Sequence, residues 1–297
     1  MRLDDFDDSI NVEDQRGGGG RGFPVIGGTG GRLGCGTIVI ALIAVFVFGA
    51  DPAQMLGSLQ QQTQEQQSLP AGPAQTGGGS SAQEICTVNP FSRESCNALS
   101  SLNKTWKPRF DKAGIAFRAP KLVFYSQQGQ SGCGAAQSAM GPFYCPPDQG
   151  IYIDTDFYNE MDKQMDAGGD FARDYVMAHE YGHHIQNLLG LSDQVHSLQQ
   201  RNPSRANELS VRLELQADCY AGVWAGLNKD RIEPGDIEEG LKAAHQIGDD
   251  TLMKAAGRRP VEAAFTHGSS AQRMTWLRKG IETADEDQCD TFSDLRQ

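Results

Sequence analysis

The sequence predicts an α+β fold over residues 85–297, mostly helical with a small sheet, preceded by a single transmembrane helix. Three observations carry this prediction. Runs rich in β-branched and aromatic residues, Lys121 to Tyr125 and Gly150 to Asp154, come first and read as short strands. The text after Phe171 then repeats apolar residues at spacings of three and four, the helical period. Strands followed by helices is the α+β order. Far upstream, no charged residue occurs from Leu33 to Ala50.

Residues 1–33 carry Asp4, Asp5, Asp7 and Asp8 and then glycine-rich text from Gly17 onward. By composition this is a disordered cytoplasmic tail. Its glycines fit no G-x-G-x-x-G register and no Walker lysine accompanies them, so flexibility is favoured over nucleotide binding. Residues 34–50 form the apolar run. About 18 residues at 1.5 Å each span about 27 Å, enough for a thin bilayer core. The tail is long for a cleaved signal peptide, and Phe48-Gly49-Ala50 lacks the small residue three before a cut, so an uncleaved anchor in the lipid bilayer is favoured. Arg2, Arg16, Arg21 and Arg32 precede the run, and no Lys or Arg occurs from Asp51 to Ser92. That bias predicts a single-pass protein of the bacterial cell membrane, with a cytoplasmic N-terminus and the large C-terminal part outside. Residues 51–84, rich in Gln, Gly, Pro and Ser, form a flexible linker whose r.m.s. span is roughly 30–35 Å.

The formal net charge of −12 opposes binding to nucleic acid or anionic lipid. Of seven cysteines, Cys35 belongs to the apolar run, leaving six. Sequence proximity favours Cys86 with Cys96 and Cys133 with Cys145, and Cys219 with Cys289 would tie a helix to the C-terminus, although about fifteen pairings are open. An even count suits an oxidising location. The absence of C-x-x-C argues against a redox module or a second metal site.

The chemistry concentrates in His179-Glu180-Tyr181-Gly182-His183, an H-E-x-x-H pattern. Histidines four apart on a helix share one face, so both imidazoles reach one ion, and Glu180 projects beside it as a general base. The helix that carries them is predicted from Phe171 to Leu189, with Asp170 as N-cap and Gly190 as stop. Gly182 costs a mid-helix position roughly 1 kcal/mol, which implies close approach of a neighbouring element. The third ligand of the H-E-x-x-H-x-x-G-x-x-H pattern is missing, because Gln186 and Leu189 stand at those positions. Glu214, in Glu214-Leu215-Gln216-Ala217-Asp218, is the best remaining candidate; the alternative is a solvated helix-face carboxylate. That segment follows an Asn202-Pro203 helix start, and Leu209, Leu213, Ala217, Tyr220, Trp224 and Leu227 give it an apolar stripe. Asp218, one turn after Glu214, is placed to accept the N–H of a ligand histidine, or else to form a helix salt bridge.

H-E-x-G-H followed by E-x-x-A-D resembles the glutamate-ligand zincins. Together with Gly132-Cys133-Gly134, Gly141-Pro142-Phe143-Tyr144-Cys145-Pro146, Tyr152-Ile153-Asp154 and Thr266-His267-Gly268-Ser269-Ser270, the chain resembles the bacterial putative neutral zinc metallopeptidase family. The resemblance covers about residues 85–297 plus the anchor. It implies a zincin-like domain, one Zn²⁺ held by His179, His183 and Glu214, and hydrolysis of a protein or peptide substrate with Glu180 as base. His267 is the candidate oxyanion donor, with Arg273 as its support, by similarity to a His-to-Arg stretch in related membrane zincins; the alternative is a histidine that caps a turn. The strand around Tyr152 is the expected edge for an extended substrate. The rival function is a catalytically inactive zinc-bearing binding or assembly protein of the cell envelope. Glu180 separates the two, since a purely structural site has no use for a carboxylate there.

Overall fold

The computed structural model describes residues 1–16, 80–164 and 168–293. The predicted anchor over 34–50 and most of the 51–84 linker lie outside the described residues. Among the described residues no helix is long and apolar enough to cross a membrane.

The sheet has four strands in the order β1-β2-β6-β5, with β1 Val12–Asp14, β2 Lys121–Tyr125, β5 Phe143–Cys145 and β6 Gly150–Asp154. β1 and β6 flank β2 in parallel, and β5 runs antiparallel to β6. Side chains alternate across a strand, so the sheet has two faces. Leu122, Phe124, Ile151 and Ile153 enter the main core beneath the helices. Val123, Tyr125 and Tyr152 point the other way, into a smaller core with Phe143 and Met140. The hairpin of β3 Gln128–Ser131 and β4 Gly134–Gln137 contributes Ala136 to that smaller core. Burial on both faces explains why β2 reads as a continuous apolar run.

Residues 1–16 are not the disordered tail that their acidity predicts. Val12 to Asp14 pair with Leu122 to Phe124, and Met1, Phe6 and Ile10 are buried in the main core. Each buried apolar side chain contributes roughly 1.5–3 kcal/mol, enough to order a short arm that composition reads as solvated. The linker also ends earlier than expected. Ser81 caps α1 (Ala82–Cys86) with a reciprocal capping box to Glu84.

The helical layer comes next. α2 (Pro90–Ala113) starts at Asn89 and ends on Gly114. After α3 (Thr155–Gln164) comes α4 (Asp170–Leu188), whose residues from Phe171 to Gln186 are mostly buried. Gly169, rather than Asp170, holds the N-cap position, and Asp170 is the first helical residue. Gly190, at φ 69°, ends the segment in the left-handed region as predicted and leads into α5 (Leu191–Arg201). Pro203–Arg205 form a single 3₁₀ turn before α6 (Ala206–Leu227). A Cβ at Gly182 would lie 2.9 Å from the Ala217 Cα, so the glycine lets α4 and α6 meet backbone to backbone. Close contact of those two helices brings the H-E-x-x-H turn against the Glu214 turn. α7 (Asp236–Gln246), α8 (Asp249–Ala255) and α9 (Ser270–Thr283) complete the layer. α9 lies against α6 on Gly222 and Gly280, where a Cβ would meet the facing backbone at 2.2 Å and 2.1 Å.

Disulfides join Cys86 to Cys96, Cys133 to Cys145 and Cys219 to Cys289. The first ties α1 to α2, the second the hairpin tip to β5, and the third α6 to the C-terminal segment.

Candidate metal centre

His179 and His183 project from one face of α4 toward α6, as a spacing of four requires. The Nε2 of His179 lies 3.1 Å from Glu214 Oε2, and the Nε2 of His183 lies 3.5 Å from Glu214 Oε1. One ligand atom from each of the three residues falls within 4.8 Å of the others. The outer ring nitrogens are engaged elsewhere. His179 Nδ1 is 2.8 Å from Asp218 Oδ1, and His183 Nδ1 is 2.9 Å from Gln186 Oε1. Both imidazoles therefore turn Nε2 to a common point, facing a carboxylate. Two imidazole nitrogens and a carboxylate oxygen form a donor set that suits Zn²⁺.

Electrostatics reinforce the geometry. Burial opposes ionisation of Glu214, but His183 and His179, with His267 nearby, hold its carboxyl well below the usual range. Burial likewise disfavours charge on His179, yet Asp218 and Glu214 outweigh it and raise the imidazole to about 9. Glu180 is itself buried. That burial pushes its carboxyl up, while His179 and His183 hold it back. A carboxyl raised above its normal range is a better proton acceptor near neutral pH.

Asp218 forms the hub of a buried network. Its Oδ1 accepts from Tyr175 Oη at 2.7 Å and from Arg273 Nη2 at 2.9 Å, and its Oδ2 accepts from Arg273 Nε at 2.9 Å. Arg273 also donates to the Ile247 carbonyl at 3.3 Å. This two-bond arginine clamp is the strong kind of charge-assisted pairing. Burial works against the Asp218 charge, and Arg273 and His179 outweigh it, lowering its pKa. Arg273 thus bonds Asp218, the partner of His179, and its Nη2 lies 3.3 Å from His179 Nδ1.

His267 is buried on the loop before α9, whose Gly268 packs against Val211 and Leu215 of α6. Its Nδ1 lies 3.2 Å from Asp249 Oδ1 and 3.0 Å from Thr266 Oγ1. Asp249 Oδ2 accepts from the backbone N–H groups of Thr266, His267 and Gly268 at 2.7, 2.7 and 3.1 Å. One carboxylate thus holds both the ring and the loop. The sequence does not single out Asp249, Tyr175 or Gln186 as site residues. An aspartate at a helix start reads as a cap, and only the folded chain brings it to a loop 17 residues away.

The substrate-edge expectation changes strand. β6, which holds Tyr152, lies between β2 and β5, so its backbone from Gly150 to Tyr152 is already paired on both sides. Tyr152 stacks on Phe143 at 4.9 Å and bonds Asp148. β5 is the edge strand on this side of the sheet, with β1 at the opposite edge. Its Tyr144 Oη contacts His184 Nδ1 at 3.0 Å and accepts from Asn187 Nδ2 at 2.9 Å, which joins the edge to α4. His184 is fully buried and its Nε2 donates to the Arg118 carbonyl at 2.7 Å.

Residues 1–292 match the family described as "Putative neutral zinc metallopeptidase". The chain is 42% identical over 300 residues to "Uncharacterized protein YpfJ" of Escherichia coli (strain K12), covering 98% of this chain and 99% of that one. It is 42% identical over 206 residues to "Uncharacterized protein Rv2575" of Mycobacterium tuberculosis (strain ATCC 25618 / H37Rv), covering 65% of this chain and 68% of that one. No solved structure matches the chain.

Proposed function

The chain belongs to the putative neutral zinc metallopeptidase family, and on that footing we propose that it is a membrane-attached zinc endopeptidase of the cell envelope. The observation that carries the reading is the convergence of His179, His183 and Glu214 within 4.8 Å, with the Glu180 carboxyl buried beside them. His179, His183 and Glu214 would hold one Zn²⁺. Bound there, the ion would supply Lewis acidity, the chemistry needed to ionise water near neutral pH and to polarise a scissile carbonyl.

The remaining steps belong to side chains. Glu180 takes a proton from the attacking water and returns it to the leaving amine. Asp218 fixes the His179 tautomer and raises its basicity, with Arg273 and Tyr175 holding Asp218 in place. Gln186 orients His183. His267, oriented by Asp249, donates to the developing oxyanion. The outer edge of β5, beside α4, is the strand on which an extended peptide backbone pairs. Attachment to the bilayer is assigned to residues 34–50, and an outside location for the domain is favoured by its three disulfides.

The test uses the full chain in detergent. Metal content is measured, and cleavage of an unstructured protein is monitored before chelation, after chelation and after zinc is restored. Activity that tracks zinc and disappears in Glu180→Gln, with zinc retained, supports the proposal. Wild type that binds zinc and cleaves nothing, like Glu180→Gln, returns the reading to an inactive zinc-bearing binding protein.

A further inference from the structure

The arm of residues 1–16 is built into the domain at every level of contact. Its backbone joins the sheet: Leu122 N donates to the Asn11 carbonyl at 2.9 Å, and Gln15 N donates to the Phe124 carbonyl at 2.7 Å. Its apolar residues Met1, Phe6 and Ile10 are buried in the same core as Trp106 and Tyr175. Its last residue, Arg16, lies over the Phe124 ring at 4.7 Å and donates to the Ile85 carbonyl at 3.0 Å. Since Ile85 belongs to α1, the end of the arm lies beside the first helix of the domain.

A single crossing of a bilayer puts the two flanking parts of a chain on opposite sides of about 30 Å of hydrocarbon. Strand pairing and core burial between the two parts require the same side. We infer that residues 1–16 and the domain of residues 80–293 occupy one compartment, on the same side of any bilayer the protein meets. The cytoplasmic N-terminus expected from basic residues gives way to this arrangement. Arg16, one of the residues counted for that orientation, is engaged by Phe124, Asp14 and Ile85. A second copy of the chain offers no escape, because its arm would start from the same side as the first. With three disulfides in the domain, the shared compartment is the oxidising one. The inference does not depend on peptidase activity.

The experiment uses the full chain in its own membrane, in a Cys35→Ser background, with one reporter cysteine at a time. Asp8 in the arm and Glu282 in the domain are both exposed. Asp8→Cys and Glu282→Cys are treated in intact spheroplasts with a membrane-impermeant maleimide, then again after lysis. Equal labelling of the two before lysis is the expected result. Equal protection of both until lysis also supports one compartment, while moving it to the cytoplasm. Labelling of Glu282→Cys in intact spheroplasts with Asp8→Cys labelled only after lysis overturns the inference. Because both substitutions are on the surface, a folding defect does not confuse the outcome, and zinc content of each variant checks that the domain is intact.

Discussion

Around His179, helix α4 buries Asp218, Arg273 and Tyr175, which all bond one another. Earlier on the same helix, around Asp174, it buries carboxylates of which three oxygens have no hydrogen-bond partner among the described residues: Glu94 Oε1, Asp174 Oδ1 and Glu239 Oε2. The first cluster is finished. Each donor has an acceptor, and charge is balanced by the arginine. The second relies on Arg173, which pairs with Glu94 at 2.9 Å, and on the Met1 ammonium, 2.9 Å from Asp170 and 3.2 Å from Asp236. An unpartnered buried polar group costs about 1–3 kcal/mol. The contrast locates the precision of this fold. It orients the metal-facing imidazoles fully and tolerates unbalanced charge at the helix start, where the arm docks.

The largest effect should come from Glu180→Gln, which touches the finished cluster at its chemical end. Loss of a general base lowers kcat by about 10²–10⁴-fold, with zinc stoichiometry unchanged. Zinc loss in this variant would show that Glu180 holds the site together and does not serve as the base. His267→Ala should lower kcat by about 10²–10³-fold, the usual cost of removing an oxyanion donor. Asp249→Asn should lower kcat in the same direction by less, since it leaves the imidazole in place. A change in KM alone for both variants would move His267 from oxyanion donor to substrate binding. Asp218→Asn should weaken zinc affinity about 10–100-fold, measured by competition with a chelator, because His179 then faces a neutral, weaker acceptor whose NH2 opposes Arg273.

The smallest effect belongs to the unfinished cluster. Burial, with Glu94 close by, raises the Asp174 carboxyl well above its ordinary value. A folded pKa above the unfolded one means that this group's contribution is intact below about pH 4 and is lost as pH rises toward the folded pKa. Asp174→Asn should therefore raise thermal stability, by about 1–2 kcal/mol, with the gain larger at pH 8 than at pH 4. A loss of stability at pH 8 would show that Asp174 is needed as an anion and that the two clusters are equally complete. His184 behaves in the opposite sense. Burial, against the Arg118 carbonyl bond, lowers it to about 4. Its contribution is full above about pH 6.5 and is lost as pH falls toward 4, so His184→Gln should flatten the acid limb of a pH–stability curve.

How much of this was legible in the sequence depends on whether a feature is local. His179, Glu180 and His183 sit within a single helical turn and its successor, so their shared face is a consequence of the helical period alone. Glu214 and Asp218 were readable for the same reason on their own helix, although their distance from the histidines was not. Gly182 announced a close neighbour without naming Ala217. By contrast, the acidic text of residues 1–16 looked solvated. Its few apolar residues, Met1, Phe6 and Ile10, carry no periodic signal, and β1 acquires its meaning only from the exposed edge of β2.

The candidate ligand types, their spacing along two helices, the α+β order and an even set of cysteines in the domain were all readable at the level of sequence, because each is written in neighbouring residues or in counts. Only the packed chain decided that Asp249 holds His267, that Arg273 clamps Asp218, that β5 and not β6 is the edge, and that the N-terminal arm completes the sheet. Those pairings join residues far apart in the chain. No backbone periodicity encodes them; they arise from which buried polar and apolar surfaces are left to be satisfied once the helices have packed.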